Sequence, residues 1–124
     1  MSESQTYAYD QLKIDLNVEK NSYVVRFLGK SFLKDPSEFV LPILWKALQE
    51  AIVAGKRIVI DFRDLAYMNS STLTPVIKIL ERVRVGRGEI TIEYRKSMKW
   101  QDISFSALVI FQTPDRRIEI IGVD

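Results

Sequence analysis

The chain has 124 residues, with 18 basic and 16 acidic side chains and neither cysteine nor histidine, so its formal net charge is +2. The missing residue types exclude disulfides, thiolate nucleophiles, Cys/His zinc sites and a Ser-His-Asp triad. The length fits a single domain over residues 1–124 with one core, and the interspersed charges do not argue for nucleic acid as a partner.

Targeting and membrane signals are not evident in the sequence. Residues 1–7 have neither the basic start nor the apolar run of a secretory signal peptide. The longest apolar segment, residues 107–111, is far too short to span a bilayer. We therefore expect a protein that does not insert into membranes and that, having no cysteine to oxidise, resides in the reducing cytoplasm.

The first predicted elements in chain order are a hairpin and a long helix. Apolar and polar residues alternate over residues 12–18, the period of a half-buried strand, and a β-favouring run follows a turn at residues 23–28. Asp35-Pro36-Ser37-Glu38 has the form of a helix start, and apolar residues then recur at helical spacing as far as Gly55. Pro42 lies inside this helix, where it should cause a kink or leave the first turn irregular.

A buried strand and a second helix come next. Residues 58–60 are all apolar, as expected of a central strand covered on both faces. Pro75 leaves two helix starts open: one at Asn69 that tolerates the proline, and one with Thr74 as the cap and Pro75 in the first position. The expected buried stripe of this helix consists of Leu73, Val76, Ile77, Leu80 and Val83.

The last predicted elements are a strand at residues 90–94, a mostly apolar helix within residues 100–111 and a strand at residues 118–123. The resulting order is ββαβαβαβ. It predicts an α/β fold with one mixed β-sheet, helices mainly on one face and right-handed crossovers.

The second helix also carries a row of cations. These residues are Lys78, Arg82, Arg84 and Arg87. They could line a phosphate-binding stripe, but cations near the C-terminal end of a helix also complement its dipole, and we favour the second interpretation.

Two carboxylates, Asp61 and Asp64, flank the end of the predicted central strand, where ligands of α/β folds commonly bind. Acid–base catalysis requires two carboxylates that face one substrate, and magnesium binding requires one or two carboxylates together with substrate phosphates. The simpler interpretation is that Asp64 orders the loop through backbone hydrogen bonds. An enzyme that uses these two residues stays open as an alternative.

The segment Asn69-Ser70-Ser71-Thr72 places three consecutive hydroxyls just past the buried strand, where the second helix opens. Backbone N–H groups and the positive end of the helix dipole make such a position suitable for a phosphate. A helix cap requires only one such residue. Because the cluster exceeds that requirement, we favour a modification site over simple capping.

Residues 61–71, followed by a helix, resemble the phosphorylation loop of STAS domains (sulfate transporter and anti-sigma-factor antagonist). In the antagonists of that family an acid, two serines and a glycine occupy this stretch, so Asn69 replaces the acid and Thr72 replaces the glycine. Residues 31–45, with Pro42 in mid-helix, are similar to the SiaC-type regulatory phosphoproteins, which also carry an Asn-hydroxyl-Ser stretch at the switch.

The resemblance implies a STAS-like fold and a non-catalytic switch protein with no metal and no cofactor. Ser70 would be the phospho-acceptor, with Ser71 and Thr72 as competitors. A cognate Ser/Thr kinase of the histidine-kinase-like ATPase type would modify it, and a PP2C-like phosphatase would restore the hydroxyl. Only the unmodified form would bind its target, an anti-sigma-type kinase or a diguanylate cyclase. The alternative is a STAS module that is never phosphorylated and binds a small molecule or acts as an interaction scaffold.

The predicted partner surface comprises the loop before the second helix and the exposed face of that helix. Tyr67 and Met68 are large, partly apolar residues of the kind that often anchor interfaces, unless they fold back into the core. The predicted contact residues are Arg63, Asp64, Tyr67, Met68, Asn69, Ser71 and Thr72.

Overall fold

The computed structural model describes residues 3–124. In this part of the chain one sheet contains the strands Glu3–Tyr9 (β1), Leu12–Val18 (β2), Ser22–Ser31 (β3), Arg57–Asp61 (β4), Leu65–Met68 (β5), Ile90–Arg95 (β6) and Ile118–Val123 (β7). The α-helices are Pro36–Ala54 (α1), Leu73–Val85 (α2) and Lys99–Ser106 (α3). Short 3₁₀ turns, Ser70–Thr72 and Ala107–Phe111, precede α2 and follow α3.

The sheet is mixed, with the strand order β1-β2-β3-β4-β6-β7. Strands β1, β2 and β3 pair antiparallel, whereas β3, β4, β6 and β7 run parallel. Strand β5 pairs in parallel with the last residues of β3, beyond the part of β3 that pairs with β4, and Met68 lies opposite Ser31. The predicted α/β class with one mixed sheet is confirmed.

The core lies on one face of the sheet. Leu12, Ile14 and Leu16 of β2 are buried, whereas Lys13 between them is exposed and Asp15 is half-buried. Pairing carries this alternation from strand to strand, because side chains directly opposite each other point to the same face. Helix α1 packs on β3 and β4, and α3 packs on β6 and β7. The helices therefore cover the face of the sheet on which the alternating apolar side chains lie.

Strand β4 differs from its prediction. Ile58 and Ile60 are fully buried, but Val59 between them is only half-buried. The two faces of β4 are therefore covered unequally, and the expectation of cover on both faces is wrong.

The predicted order of elements omits two strands. Strand β1 is polar and mostly exposed, and it pairs with β2 through a complete register from Glu3 opposite Val18 to Tyr9 opposite Leu12. Strand β5 has only four residues and forms within the segment that was expected to be a loop. The observed order is βββαββαβαβ, in which every predicted element is present.

Helix α1 begins with Pro36 in its first turn, as predicted, but the Asp35 side chain makes no capping hydrogen bond. The helix continues through Pro42, whose side chain is exposed, and loses at most the one hydrogen bond that an N–H at this position would donate. Gly55 ends the helix in the left-handed conformation at φ 67°, where its N–H donates to the carbonyl of Ile52. No helix within residues 3–124 is long and apolar enough to cross a membrane.

Candidate functional site

The hydroxyl cluster lies where β5 meets α2, beside the end of β3. The backbone N–H of Asn69 donates to the carbonyl of Ser31 at 3.0 Å, which continues the pairing of β5 with β3 by one residue. The 3₁₀ turn Ser70–Thr72 follows at once, and α2 begins at Leu73. The short strand β5, which the sequence did not predict, thus places Ser70 at the edge of the sheet.

A buried hydrogen-bond network holds this turn. The Thr72 hydroxyl donates to Oδ1 of Asn69 at 2.6 Å, and the Thr72 hydroxyl oxygen also lies 2.7 Å from Oγ of Ser31. Because Thr72 has a single hydroxyl proton, Ser31 must be the donor in the second bond. The amide Nδ2 of Asn69 donates to the carbonyl of Leu33 at 2.9 Å. Both ends of the Asn69 side chain are therefore engaged, which fixes the residue that precedes Ser70.

The three hydroxyls have different environments. Ser70 is exposed, and Ser71 is half-buried with its Oγ 3.4 Å from the carbonyl of Leu33. Thr72 is fully buried. In the folded protein a kinase could therefore reach Ser70 far more readily than Ser71, and it could not reach Thr72. Burial removes Thr72 both as a competing acceptor and as a direct partner contact.

The cluster does not act as an ordinary helix cap. Asn69 precedes the 3₁₀ turn and Thr72 precedes α2, yet neither side chain donates or accepts a capping hydrogen bond with the backbone. Asn69 instead uses its oxygen for Thr72. The start of α2 also differs from both predicted alternatives, because the α-helix begins at Leu73 and Pro75 is its third residue. Pro75 is tolerated there because N–H groups in a first turn have no acceptor within the helix.

The buried face of α2 contains the predicted stripe and two further buried residues, of which one is Pro75. Val76, Leu80 and Val83 are fully buried, and Leu73 and Ile77 are half-buried against the core. Ile79 is also almost fully buried, although it lies outside the predicted stripe.

Asp61, the last residue of β4, is held by two arginines. Its side chain is 1% exposed, and Arg63 binds it with Nε at 3.0 Å, Nη2 at 2.9 Å and the backbone N–H at 2.9 Å. Arg26 Nε lies 3.5 Å away across the sheet. Burial alone would raise the pKa of Asp61, but the hydrogen bonds from Arg63 and the charges of Arg63 and Arg26 outweigh it, and the pKa is lowered. The carboxylate is therefore held ionised as a structural anchor.

Asp64 is exposed and has a separate partner, Arg95, whose Nη2 lies 3.4 Å from its Oδ1. The two carboxylates are thus each paired with different arginines, an arrangement that does not present both to one substrate. Within residues 3–124 no group of three or more His, Cys, Asp and Glu side chains is placed to hold a metal ion.

Gln101 of α3 supports the loop from below, a role that its sequence context did not suggest. Its side chain is fully buried, and Nε2 donates to the carbonyls of Phe62 at 2.6 Å and Leu65 at 2.9 Å. Its Oε1 accepts a hydrogen bond from the backbone N–H of Arg95 at 2.7 Å. One amide thereby fixes the segment between β4 and β5 to strand β6.

Tyr67 and Met68 have opposite environments. Tyr67 is 43% exposed and stacks on the ring of Phe32, with a centroid distance of 5.0 Å. Met68 is 7% exposed and belongs to the core. Met68 therefore folds back into the core and cannot contact a partner directly. Tyr67 does not fold back and stays accessible. Arg63 and Asn69 are half-buried, so each still presents part of its side chain.

Comparison with known proteins identifies the architecture. SiaC of Pseudomonas aeruginosa superimposes with a TM-score of 0.61 at 14% identity, over 98% of this chain and 99% of that chain. The anti-sigma factor antagonist SpoIIAA, in its unphosphorylated form, superimposes with a TM-score of 0.56 at 15% identity, over 98% and 89% of the two chains. This chain has the STAS fold. No family model and no curated protein sequence matches it.

The STAS fold confirms the resemblance that was predicted from the residues around the switch and from α1. Identities of 14% and 15% establish the shared architecture. A shared architecture does not specify which hydroxyl is modified, so the assignment of Ser70 and of the partner surface stays a prediction.

Proposed function

We propose that this STAS domain is a non-catalytic regulatory protein whose unphosphorylated form binds a protein partner and whose phosphorylation on Ser70 releases it. The observation that carries the proposal is the contrast among the three adjacent hydroxyls. Ser70 is exposed at the head of α2, whereas Ser71 is partly covered and Thr72 is sealed into the network with Ser31 and Asn69. The exposure of one hydroxyl beside two covered ones supports Ser70 as the acceptor.

The fold should tolerate the phosphate. Phosphorylation adds about −1.5 to −2 charges and three acceptor oxygens. Ser70 precedes α2, where N–H groups lack acceptors within the helix and a negative charge is mildly stabilising. Asn69 is neutral, so it avoids the repulsion that an aspartate in the same position would cause. The native structure should therefore persist in the modified protein.

The interface with the partner should not tolerate the phosphate on Ser70. A partner surface shaped for the Ser70 hydroxyl would have to desolvate the phosphate, which costs several kcal/mol unless a cation meets it. Each 1.4 kcal/mol corresponds to about a tenfold change in affinity. Phosphorylation should therefore reduce binding by orders of magnitude while the fold remains intact.

The proposed partner surface surrounds Ser70. Its accessible members are Arg63, Asp64, Tyr67, Asn69 and Ser71, and Met68 and Thr72 support them from beneath. The proposed modifying enzymes are a Ser/Thr kinase of the histidine-kinase-like ATPase type and a PP2C-like phosphatase. The proposed target is an anti-sigma-type kinase or a diguanylate cyclase. SpoIIAA, which shares the fold, is an anti-sigma factor antagonist with an unphosphorylated form, and this supports the proposal by analogy.

Phosphate mapping tests the acceptor. The purified protein is incubated with ATP and any Ser/Thr kinase that a neighbouring gene encodes, and intact mass and fragment spectra locate the phosphate. We expect one phosphate, on Ser70, and none on the Ser70→Ala variant. Ser71→Ala is the matched control and should be modified like the wild type.

Phosphate on Ser71 with Ser70 untouched would contradict the assignment of the acceptor. A complete lack of incorporation would favour the unphosphorylated STAS module instead.

A further inference from the structure

A groove runs between α1 and α2 on the outer surface of the domain. It has a volume of about 660 Å³, and its walls are mainly apolar. Leu41 and Trp45 of α1 are half-buried, while Pro42 of α1 and Val85 of α2 are exposed. Val85 is 79% exposed, so the α2 wall of the groove presents an accessible aliphatic side chain.

Cations lie along the α2 wall of this groove. Lys78, Arg82 and Arg84 line the groove together with a single acid, Glu81, which leaves three positive charges against one negative charge. The Arg82 guanidinium lies over the Trp45 ring at 4.4 Å from its centroid. Within residues 3–124 no carboxylate is within 4.0 Å of the charged groups of these three cations. From the sequence, we interpreted these cations as complements of the α2 dipole. In the structure, Lys78, Arg82 and Arg84 also border an apolar groove.

We propose that this groove binds an amphipathic helix of a protein partner, one whose apolar stripe is flanked by acidic side chains. The wall from Ser37 to Trp45 comprises nine residues of α1, and the eight steps between them at 1.5 Å each give about 12 Å, which matches two turns of a bound helix. Apolar residues of the partner at i, i+3 or i+4, and i+7 would contact Trp45 and Val85. Its acids would meet Lys78, Arg82 and Arg84, which have no carboxylate partner among residues 3–124. Two of these cations contact aromatic rings instead, Arg82 that of Trp45 and Arg84 that of Phe111.

Charge selects this occupant over a second copy of the chain. Two copies joined groove to groove would oppose like charges, which is unfavourable at close range. The inference rests on the proposed function only in requiring a protein partner, and it concerns a surface formed by the helices and not by the Ser70 turn. The two proposals can therefore fail separately.

The test uses isotope-labelled, unphosphorylated protein and a synthetic helical peptide of about 15 residues, long enough to form a marginal helix. Leucines follow the i, i+3, i+4, i+7 pattern, and glutamates occupy the flanks. The comparison peptide has lysine at every glutamate position. We expect saturable shifts of the Trp45 indole and the Val85 amide with the acidic peptide, while the indole of Trp100, the second tryptophan of the chain, stays unmoved.

Two matched variants localise the binding. Val85→Glu places an acid in the groove and should lower the affinity for the acidic peptide by at least about tenfold. Arg82→Ala should lower the same affinity by several-fold. Val53→Glu adds the same charge to α1 at a position that is 87% exposed and does not line the groove. It should change the affinity by less than about twofold.

Four results would overturn the inference: no shift at Trp45 or Val85, equal binding of the basic peptide, shifts that map elsewhere, or a dimer in solution that Val85→Glu dissociates. Binding of oleate at these residues without binding of the peptide would assign the groove to a lipid carboxylate instead. None of these experiments uses the kinase, so each outcome leaves the assignment of Ser70 to its own test.

Discussion

The buried network beneath Ser70 predicts the consequence of replacing Thr72 by valine. The change keeps the shape of the side chain and removes the hydroxyl that donates to Asn69 at 2.6 Å and accepts from Ser31 at 2.7 Å. Ser31 is fully buried, so its hydroxyl proton would lose its acceptor without gaining access to water. An unsatisfied buried group costs about 1–3 kcal/mol, and the added methyl group offsets up to about 0.8 kcal/mol.

We therefore expect Thr72→Val to lower the free energy of unfolding by about 1–2 kcal/mol, or the melting temperature by roughly 4–8 °C for a domain of this size. Urea titration followed by tryptophan fluorescence measures the first quantity. Thr91→Val is the control, because Thr91 is also buried but its hydroxyl has no hydrogen-bond partner within residues 3–124. Thr91→Val should be close to neutral.

The double variant Ser31→Ala/Thr72→Val isolates the contact. It removes the stranded hydroxyl as well, so its loss of stability should be smaller than the sum of the single losses by about 0.5–1.5 kcal/mol. Additive losses, or a Thr72→Val variant as stable as Thr91→Val, would refute the role of this network in holding the turn.

Three further predictions concern other parts of the site. Gln101→Leu leaves the carbonyls of Phe62 and Leu65 and the N–H of Arg95 without their partner, so urea titration should show a loss of at least about 2 kcal/mol, whereas exposed Gln49→Leu should be neutral. Because the pKa of Asp61 is lowered in the folded state, its stabilising effect is present above its ordinary pKa of 3.8 and is lost as the pH falls through the folded-state pKa. Asp61→Asn should therefore cost about 1–3 kcal/mol at pH 7 and progressively less below pH 4, and a constant difference across this range would contradict the ion pair. Tyr67→Ala should weaken partner binding by more than about 1 kcal/mol in calorimetric titration. The control Tyr67→Phe should keep both the ring contact with Phe32 and the stability of the fold. An unfolded Tyr67→Ala variant would instead show that Tyr67 is a structural residue.

The sequence predicted those elements whose residues follow a clear apolar period. Strands β2 and β3 and helix α2 alternate or repeat regularly, and the structure contains them. Strand β1 lacks such a period because it is an exposed edge strand, ordered by its pairing with β2. Strand β5 depends on pairing with β3, more than 30 residues away in the chain, and no local pattern encodes that contact.

The same distinction applies to the site. The run of hydroxyls at residues 70–72 was visible in the sequence because the three residues are contiguous. The network that separates their roles was not, since Ser31 and Thr72 are 41 positions apart and Gln101 lies 36 positions from Leu65. Tyr67 and Met68 are neighbours in β5, yet Tyr67 is exposed and Met68 is buried. Burial along β5 does not follow a simple alternation, and its register with β3 shifts between Gly29 and Lys30, so no sequence period could have predicted which of the two residues is exposed.

The most direct test of the phospho-switch is calorimetric titration of the protein partner that copurifies with Ser70→Ala from the native cells. Unphosphorylated wild type, phospho-Ser70 protein and Ser70→Ala are compared at equal concentration and ionic strength. We predict that wild type and Ser70→Ala bind equally well and that phospho-Ser70 binds at least about a hundredfold more weakly, with all three melting within a few degrees of one another. Undiminished affinity of the authentic phospho-Ser70 protein would contradict the account.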